Sequence, residues 1–222
     1  MEFEDWEPIY EAILEDLGYS RDDDLASAKL LDSYLDPFDL GRLGSVIKTK
    51  TVYVVGNAPC LEDEIHGIPD PETEDTVVVA ADAASERLSE AGVDPDVVCT
   101  DLDGSPSHAA DLSQSGTVVA VHAHGDNTDL IEGWIEEFDL SNTLGTTQTR
   151  PFGDVHNFGG FTDGDRCAFL ADEFGAYSLS LVGFDFDDPS VSPEKSRKLD
   201  WARRLIRVLE KRRDETILQG QS

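Results

Sequence analysis

The chain contains 222 residues, 39% of them hydrophobic, which suits a single α/β domain with a substantial core. It carries 47 acidic and 17 basic residues, giving a formal net charge of -30. A surface this negative repels phosphate backbones and anionic lipid, which excludes general nucleic-acid and membrane-surface binding. No apolar run is long enough to span a bilayer, and the N-terminus lacks the basic and apolar regions of a signal peptide.

The acidic residues are spread along the whole chain rather than collected in a tail. Self-repulsion of this size destabilises a compact state, and it is screened near 1 M salt, where the Debye length falls to about 3 Å. We therefore expect a salt-rich cytoplasm, as in halophilic archaea. The three cysteines are far apart and form no CxxC, so neither a disulfide framework nor a zinc site is predicted, and a reducing cytoplasm is expected.

Residues 1 to about 50 are predicted to be helical. Apolar residues recur at helical spacing from Trp6 to Leu17, Gly18 is a suitable helix end, and a second helix is predicted from about Asp22 to Leu35. Short apolar, β-branched runs then predict strands at 51–56, 76–81, 96–100, 117–121, 178–182 and, more weakly, 143–147. Helical patterns lie at 85–91, 129–138, 163–174 and 193–218.

Continuous apolar strands alternating with helices are typical of a mostly parallel sheet with helices on both faces. The predicted fold class is therefore α/β, with a helical N-terminal segment at 1–50 and an α/β catalytic domain with a C-terminal helix at 51–222. In such sheets ligands bind beyond the carboxyl ends of the strands. Polar clusters follow most of the predicted strands, so we expect one functional site along that edge.

The first of these clusters, Gly56 to Glu62, is a turn between a strand and a helix. Backbone N–H groups in such a turn can hold a phosphate at a helix N-terminus. The turn matches neither a P-loop nor GxGxxG, so the alternative is a plain connection.

A second cluster contains Asp101 and Asp103. If the strand conformation persists, the two side chains share a face with Cα atoms about 6.5 Å apart, which suits two oxygen ligands on one hard cation such as Mg²⁺. Asp82 and Asp126, at neighbouring strand ends, would complete an acidic patch. In a chain this acidic, the alternative is an Asp-rich surface turn.

Two histidines, His122 and His124, precede Asp126 in the pattern HxHxD. One interpretation is part of a di-metal hydrolase motif. We prefer a second, in which the histidines donate hydrogen bonds to phosphate while Asp126 helps to hold Mg²⁺. A third interpretation is that the histidines only fill the edge of the sheet.

The segment from Thr162 to Arg166 predicts a helix start, because Thr162 is a good N-cap and acidic residues occupy the first turn. A cation is unfavourable there, so Arg166 indicates a nearby phosphate or carboxylate. Phe161 could stack on a planar ring, although core packing is the commoner use of Phe. Lys195 and Lys198, at the start of the last helix, could reach a polyphosphate, whereas the other basic residues of that helix are expected to pair with the acidic body.

In this order, the motifs resemble the archaeal-type 6-hydroxymethyl-7,8-dihydropterin diphosphokinases. The resemblance covers most of the chain from about residue 51. It is specific in combination, although Cys60 stands where serine would be expected. The fold of this family is similar to that of thiamine diphosphokinase, which also uses strand-end Asp residues in a DxD arrangement. The motifs that carry it are GNAPCLE at 56–62, PDVVCTDLDG at 95–104, VHAHGDN at 121–127, NFGGFTDGDR at 157–166 and GFDFD at 183–187.

The resemblance implies that ATP and the pterin alcohol give AMP and the pterin diphosphate, in tetrahydrofolate or tetrahydromethanopterin biosynthesis. Diphosphoryl transfer depends mainly on positioning and on neutralising the triphosphate. We expect Mg²⁺ on Asp101 and Asp103, assisted by Asp82 and Asp126, with Asp126 a candidate acceptor of the hydroxyl proton.

Other residues would contact the two substrates. The expected nucleotide contacts are Gly56, Asn57, Ala58, Pro59, His122, His124, Arg166 and Lys198. The expected pterin contacts are Asp82, Phe161, Thr162, Asp163 and Asp185, with Asp163 or Asp185 pairing with the amino-pyrimidine edge. A homo-oligomer is left open. The alternatives are a thiamine diphosphokinase, a metal-dependent phosphohydrolase built on HxHxD, a nucleotide-sugar transferase on the same scaffold, or a nucleotide-binding module without activity.

Overall fold

The structure is a computed structural model that describes residues 1–69 and 75–218. It begins with helices α1 (Phe3–Leu17), α2 (Arg21–Asp32) and α3 (Gly41–Ile47). As predicted, α1 ends at Gly18, which adopts left-handed backbone angles with φ 77°. The prediction for α2 was too long by three residues, because the backbone turns after Asp32 rather than immediately before the proline. The short helix α3 lies within the segment predicted to be helical, although its bounds were not predicted.

Seven strands form one sheet in which every strand pair is parallel. The strands are β1 (Thr51–Val55), β2 (Thr76–Ala81), β3 (Val97–Thr100), β4 (Val118–Ala123), β5 (Thr143–Thr147), β6 (Val155–His156) and β7 (Ser178–Val182). Their spatial order is β6-β5-β4-β3-β2-β1-β7. All six predicted strands are confirmed, and only the two-residue β6 was missed.

The central strands are buried along their whole length. Every residue of β2, β3, β4 and β5 is buried, which requires cover on both faces of the sheet. Among the described residues, six helices follow strands of the sheet: α4 (Leu61–Glu64), α5 (Asp82–Glu90), α6 (Pro106–Gln114), α7 (Thr128–Trp134), α8 (Asp163–Glu173) and α9 (Pro193–Arg213). The predicted α/β class is therefore confirmed. The helix expected after the Gly56 turn is the short α4, whereas sequence patterns did not indicate α6.

The last helix is shorter than predicted. It ends at Arg213, and the capping residue Asp214 adopts left-handed angles. The Glu210 carboxylate then accepts hydrogen bonds from the N–H groups of Ile217 and Leu218. Its basic residues pair with the acidic body as expected. Arg213 forms an ion pair with Asp172 at 2.9 Å, and further pairs join Arg203 to Asp187 and Arg197 to Asp16.

The N-terminal segment packs into the main core. Trp6, Tyr10 and Ile13 are fully buried in the same apolar cluster as Val52 and Val54 of β1. The division at residue 50 stays a prediction, because the two parts share one core. None of the described helices combines the length and apolarity that crossing a membrane would need.

The last strand, β7, lies on the opposite side of β1 from β2 to β6. Two glycines bring the backbones together just after β1 and β7. Gly183 has φ 69°, and a Cβ atom placed on it would lie 2.4 Å from the carbonyl oxygen of Gly56. The Gly56 N–H donates a hydrogen bond to the Val182 carbonyl at 2.8 Å, which joins the ends of β1 and β7. A side chain at position 183 would therefore clash with the backbone of Gly56 and would also have an unfavourable φ.

We predict that Gly183→Ala lowers the free energy of unfolding more than Gly92→Ala does. Gly92 also has positive φ, 80°, but nothing lies within 4 Å of its would-be Cβ. The control therefore carries only the strain of a left-handed alanine, about 1–2 kcal/mol, whereas Gly183→Ala adds the clash. Urea unfolding followed by circular dichroism measures both, and equal losses would contradict the prediction.

Candidate active site at the carboxyl edge of the sheet

Two pockets lie side by side at the carboxyl ends of the strands. The first pocket, about 430 Å³, is bounded by the N-terminal segment and by the loops after β3 and β4. The second pocket, about 310 Å³, lies between the Gly56 turn and the loop after β7. Residues that line both pockets mark the junction: Asp103, Thr162, Asp163 and Lys195.

Three carboxylates meet at this junction. Asp82 follows β2, Asp101 follows β3 and Asp163 begins α8, and oxygen atoms of all three lie within 4.8 Å of one another. Asp82 lines the second pocket and Asp101 the first. Three carboxylate oxygens from separate elements suit a hard divalent cation. The structure thus groups Asp82 and Asp101 as expected, but the third member of the group is Asp163 rather than Asp103 or Asp126.

Hydrogen bonds hold each member of this acidic cluster. Burial raises the pKa of Asp82, although its carboxylate accepts a hydrogen bond from the Gly104 N–H at 2.7 Å. Burial would also raise the pKa of Asp101, but the hydrogen bond from His124 and the charge of Arg166 outweigh it and lower that pKa. The nearest cation to Asp163 is Arg166, whose Nη1 donates to Asp163 Oδ1 at 2.9 Å.

The segment from Asp101 to Asp103 is not extended, so the predicted strand alternation does not apply. The strand ends at Thr100, and Leu102 has φ 71°, in the left-handed region that a leucine rarely adopts. The Thr100 hydroxyl accepts a hydrogen bond from the Leu102 N–H at 2.8 Å, and the Leu102 side chain is buried. Both Asp side chains still line the first pocket, because this turn, not strand geometry, directs them there.

The two histidines have different surroundings. His122 is buried, and its Nδ1 lies 3.1 Å from the Thr146 hydroxyl. It lines a cavity of about 20 Å³ behind the site rather than either pocket. This placement favours packing over the expected phosphate contact. His124 lines the first pocket, and its Nε2 lies 3.3 Å from Asp101 Oδ2. Within the described residues, the only potential metal group contains no histidine, which does not support the hydrolase interpretation.

The Gly56 turn lines the second pocket, but its donors are largely used within the protein. The N–H groups of Gly56 and Ala58 donate to the carbonyls of Val182 and Gly183. The Asn57 side chain accepts a hydrogen bond from Arg87 at 3.0 Å. Pro59 also lines this pocket and has no N–H to offer. The turn is thus a wall of the pocket, and its phosphate role stays a prediction.

The start of α8 has the predicted cap. The Thr162 hydroxyl and the Asp165 side chain form a capping box, with the Thr162 N–H donating to Asp165 Oδ1 at 2.9 Å. The carboxylate expected near Arg166 is Asp163, and Arg166 lines the first pocket. Phe161 also lines that pocket, with its ring 6.4 Å from the Tyr19 ring.

Four other residues expected at the site also line the two pockets. Asp126 is exposed at the first pocket, where its N–H donates to His124 Nδ1 at 3.3 Å. Asp185 is exposed at the second pocket, outside the acidic cluster. Lys198 lines the first pocket with its ammonium 5.6 Å from the Tyr19 ring centre, and Lys195 lines both pockets.

Sequence patterns missed the contribution of the N-terminal segment to the first pocket. Tyr19 and Asp24 line it, as does Gln148 after β5. The buried Asp24 carboxylate accepts hydrogen bonds from Tyr10 Oη at 2.5 Å, Gln148 Nε2 at 2.7 Å and the Gly125 N–H at 2.8 Å. A short-range pattern cannot reveal the contacts with Gly125 and Gln148, because these residues lie 101 and 124 positions from Asp24.

An acidic cluster between two pockets, at the carboxyl edge of a fully parallel sheet, defines an α/β protein with ligand sites at its strand ends. Residues 28–190 match the family described as 6-hydroxymethylpterin diphosphokinase MptE-like. The chain belongs to this family, as the sequence motifs predicted.

Three archaeal relatives are each named 6-hydroxymethyl-7,8-dihydropterin pyrophosphokinase. The protein of Pyrococcus furiosus is 42% identical, over 94% of this chain and 94% of its own length. That of Methanothermobacter thermautotrophicus is 37% identical, over 98% and 99%. That of Methanocaldococcus jannaschii is 31% identical, over 94% and 96%. Among solved structures, a MAf glycosyltransferase from Magnetospirillum magneticum aligns with 75% of this chain and 29% of its own, at 16% identity and a TM-score of 0.45.

In metal-free protein, the electrostatics of Asp103 predict that the stability of Asp103→Asn relative to the unsubstituted chain changes with pH. Burial and the charge of Asp101 raise its pKa from 3.8 to about 6. Between these values the folded protein binds more protons than the unfolded chain, so ionising Asp103 costs stability as the pH rises. We expect Asp103→Asn to gain stability relative to the unsubstituted chain as the pH rises from 4 to 7.

Urea unfolding in EDTA at several pH values measures this difference. Asp111→Asn, in an exposed part of α6, is the control and should give a difference that does not vary with pH. A flat difference for Asp103→Asn, or one that falls with rising pH, would contradict the prediction.

Proposed function

We propose that the protein transfers a diphosphoryl group from ATP to the hydroxymethyl group of 6-hydroxymethyl-7,8-dihydropterin, giving AMP and the pterin diphosphate. The observation that carries this proposal is the acidic cluster at the junction of two pockets, with Asp101 facing one and Asp82 the other. A transfer between two bound substrates needs its reacting groups to meet at such a junction. The names of the archaeal relatives support the pterin alcohol as acceptor and the diphosphoryl group as the group transferred. ATP as the donor is part of the proposal.

At the β-phosphorus of ATP, the reaction forms one P–O bond and breaks another. The pterin hydroxyl oxygen attacks the β-phosphorus of ATP, the bond from that phosphorus to the α,β-bridging oxygen breaks, and AMP leaves. The hydroxyl proton passes to a carboxylate. Asp103 is placed for this role because it lines both pockets and has a pKa raised to about 6, near the range in which a base works best. Asp126, the acceptor expected from the sequence, lines only the first pocket.

The carboxylates of Asp82, Asp101 and Asp163 would hold Mg²⁺, since their oxygens are the ligands that this cation prefers. When bound there, Mg²⁺ would neutralise charge on the phosphates. Lys195 lines both pockets and would add positive charge on the path between them. Arg166 is paired with Asp163, so its main effect would be to stabilise that buried carboxylate.

We expect AMP to form only when the pterin alcohol is present, in an amount equal to the pterin diphosphate. The assay contains ATP, Mg²⁺ and the pterin in molar KCl, and separates AMP from ADP chromatographically. Thiamine in place of the pterin tests the neighbouring alcohol. Release of ADP or phosphate without any acceptor would refute the proposal.

We expect Asp163→Asn to lower the rate of AMP formation by about 100-fold, because it removes one of three carboxylate ligands of the proposed metal site. Asp111→Asn, far from the pockets on α6, is the matched control and should keep the rate within about two-fold. Circular dichroism checks that both variants are folded, and Asp101→Asn provides a second test of the cluster. A folded Asp163→Asn with unchanged rate would remove this residue from the metal site.

A further inference from the structure

The buried side chain of Asn127, which the proposed reaction does not use, makes a full set of hydrogen bonds. It is 1% exposed. Its Nδ2 donates to the carbonyl of Asp101 at 2.8 Å and to that of His122 at 2.7 Å. Its Oδ1 accepts from the His124 N–H at 3.0 Å and from the Ser27 hydroxyl at 3.1 Å.

This arrangement requires a primary amide. Both partners of Nδ2 are carbonyl oxygens, which accept only, and both partners of Oδ1 are donors. The partners therefore fix the orientation of the Asn127 amide. A carboxylate of the same shape could not donate to the two carbonyls, and an apolar side chain would remove all four hydrogen bonds.

Asn127 holds both ends of the contact between His124 and Asp101. The sheet ladder does not hold Asp101, since β3 ends at Thr100 and Leu102 turns the chain. Instead, Asn127 binds the Asp101 carbonyl and the His124 N–H, and the His124 ring then reaches Asp101 Oδ2 at 3.3 Å. Ser27 of α2 connects the same side chain to the N-terminal segment.

We propose that Asn127 is a positioning residue that holds the Asp101 carboxylate in place within the acidic cluster. This inference rests on the proposed metal site of the phosphoryl-transfer reaction. Residues that orient a metal ligand without touching the metal commonly change metal affinity by about 10- to 100-fold when replaced. Loss of Asn127 should therefore weaken divalent-cation binding beyond its effect on stability.

The test compares Asn127→Ala with Asn142→Ala. Asn142 is also buried and makes three hydrogen bonds, two donated to Ser113 O and Asp139 Oδ2 and one accepted from Arg42. It lies just before β5, at the amino end of the sheet and opposite the site. Both substitutions remove a buried amide and its hydrogen bonds. If Asn127 had a purely structural role, the two variants would therefore show similar changes in cation binding.

The readout is the Kd of Mn²⁺ for the whole chain without nucleotide, measured from the free-ion signal in electron paramagnetic resonance. We expect Asn127→Ala to raise this Kd by about 10-fold or more and Asn142→Ala to leave it within about two-fold. If Asn127→Ala does not fold, Asn127→Ser, which keeps one donor, decides the test. A folded Asn127 variant with unchanged Mn²⁺ affinity overturns the proposal.

The same measurement separates this proposal from the proposed reaction. If the unsubstituted chain binds Mn²⁺ but forms no AMP with the pterin, the reaction is wrong and the Asn127 result still stands. If the unsubstituted chain does not bind Mn²⁺, the role of Asn127 is overturned together with the metal site.

Discussion

Confinement of three carboxylates within 4.8 Å of one another is the constraint on which the site depends. Like charges at this distance repel strongly where water is scarce. A separate hydrogen-bonding partner opposes this repulsion at each carboxylate: the Gly104 N–H at Asp82, His124 at Asp101, and Arg166 at Asp163. The surrounding chain is therefore arranged around these carboxylates. Gly104 illustrates the closeness, because a Cβ there would lie 2.6 Å from Asp82 Oδ2.

The parallel sheet explains why the carboxylates meet. All strands run in one direction, so the residues that follow β2, β3 and β4 are delivered to one edge. Helix α8 packs across β1, β2 and β3 and brings its first turn, with Asp163 and Arg166, to the same edge. The loop after β7 and the N-terminal segment then enclose the two pockets on opposite sides of this junction.

Much of the fold follows from local sequence, but the details of the site do not. The longer strands were predictable because apolar, β-branched runs are buried on both faces, whereas β6 has only two residues and no pattern. Asp101 and Asp103 were rightly expected at this edge, but the extended, same-face arrangement predicted for them was wrong. The buried Leu102 between them adopts a backbone conformation that leucine disfavours. The role of Asp24 depends on contacts across about a hundred residues, which periodicity cannot reveal.

These long separations have a consequence for folding. Asp24 bonds to Gly125 and Ser27 to Asn127, pairs that are 101 and 100 residues apart. During synthesis from the N-terminus, α1 and α2 emerge long before these partners, and Trp6 has no sheet to cover it. Contacts between distant residues form slowly because a long loop must close first. The first pocket should therefore be completed late in folding, after the loop that follows β4 has been synthesised.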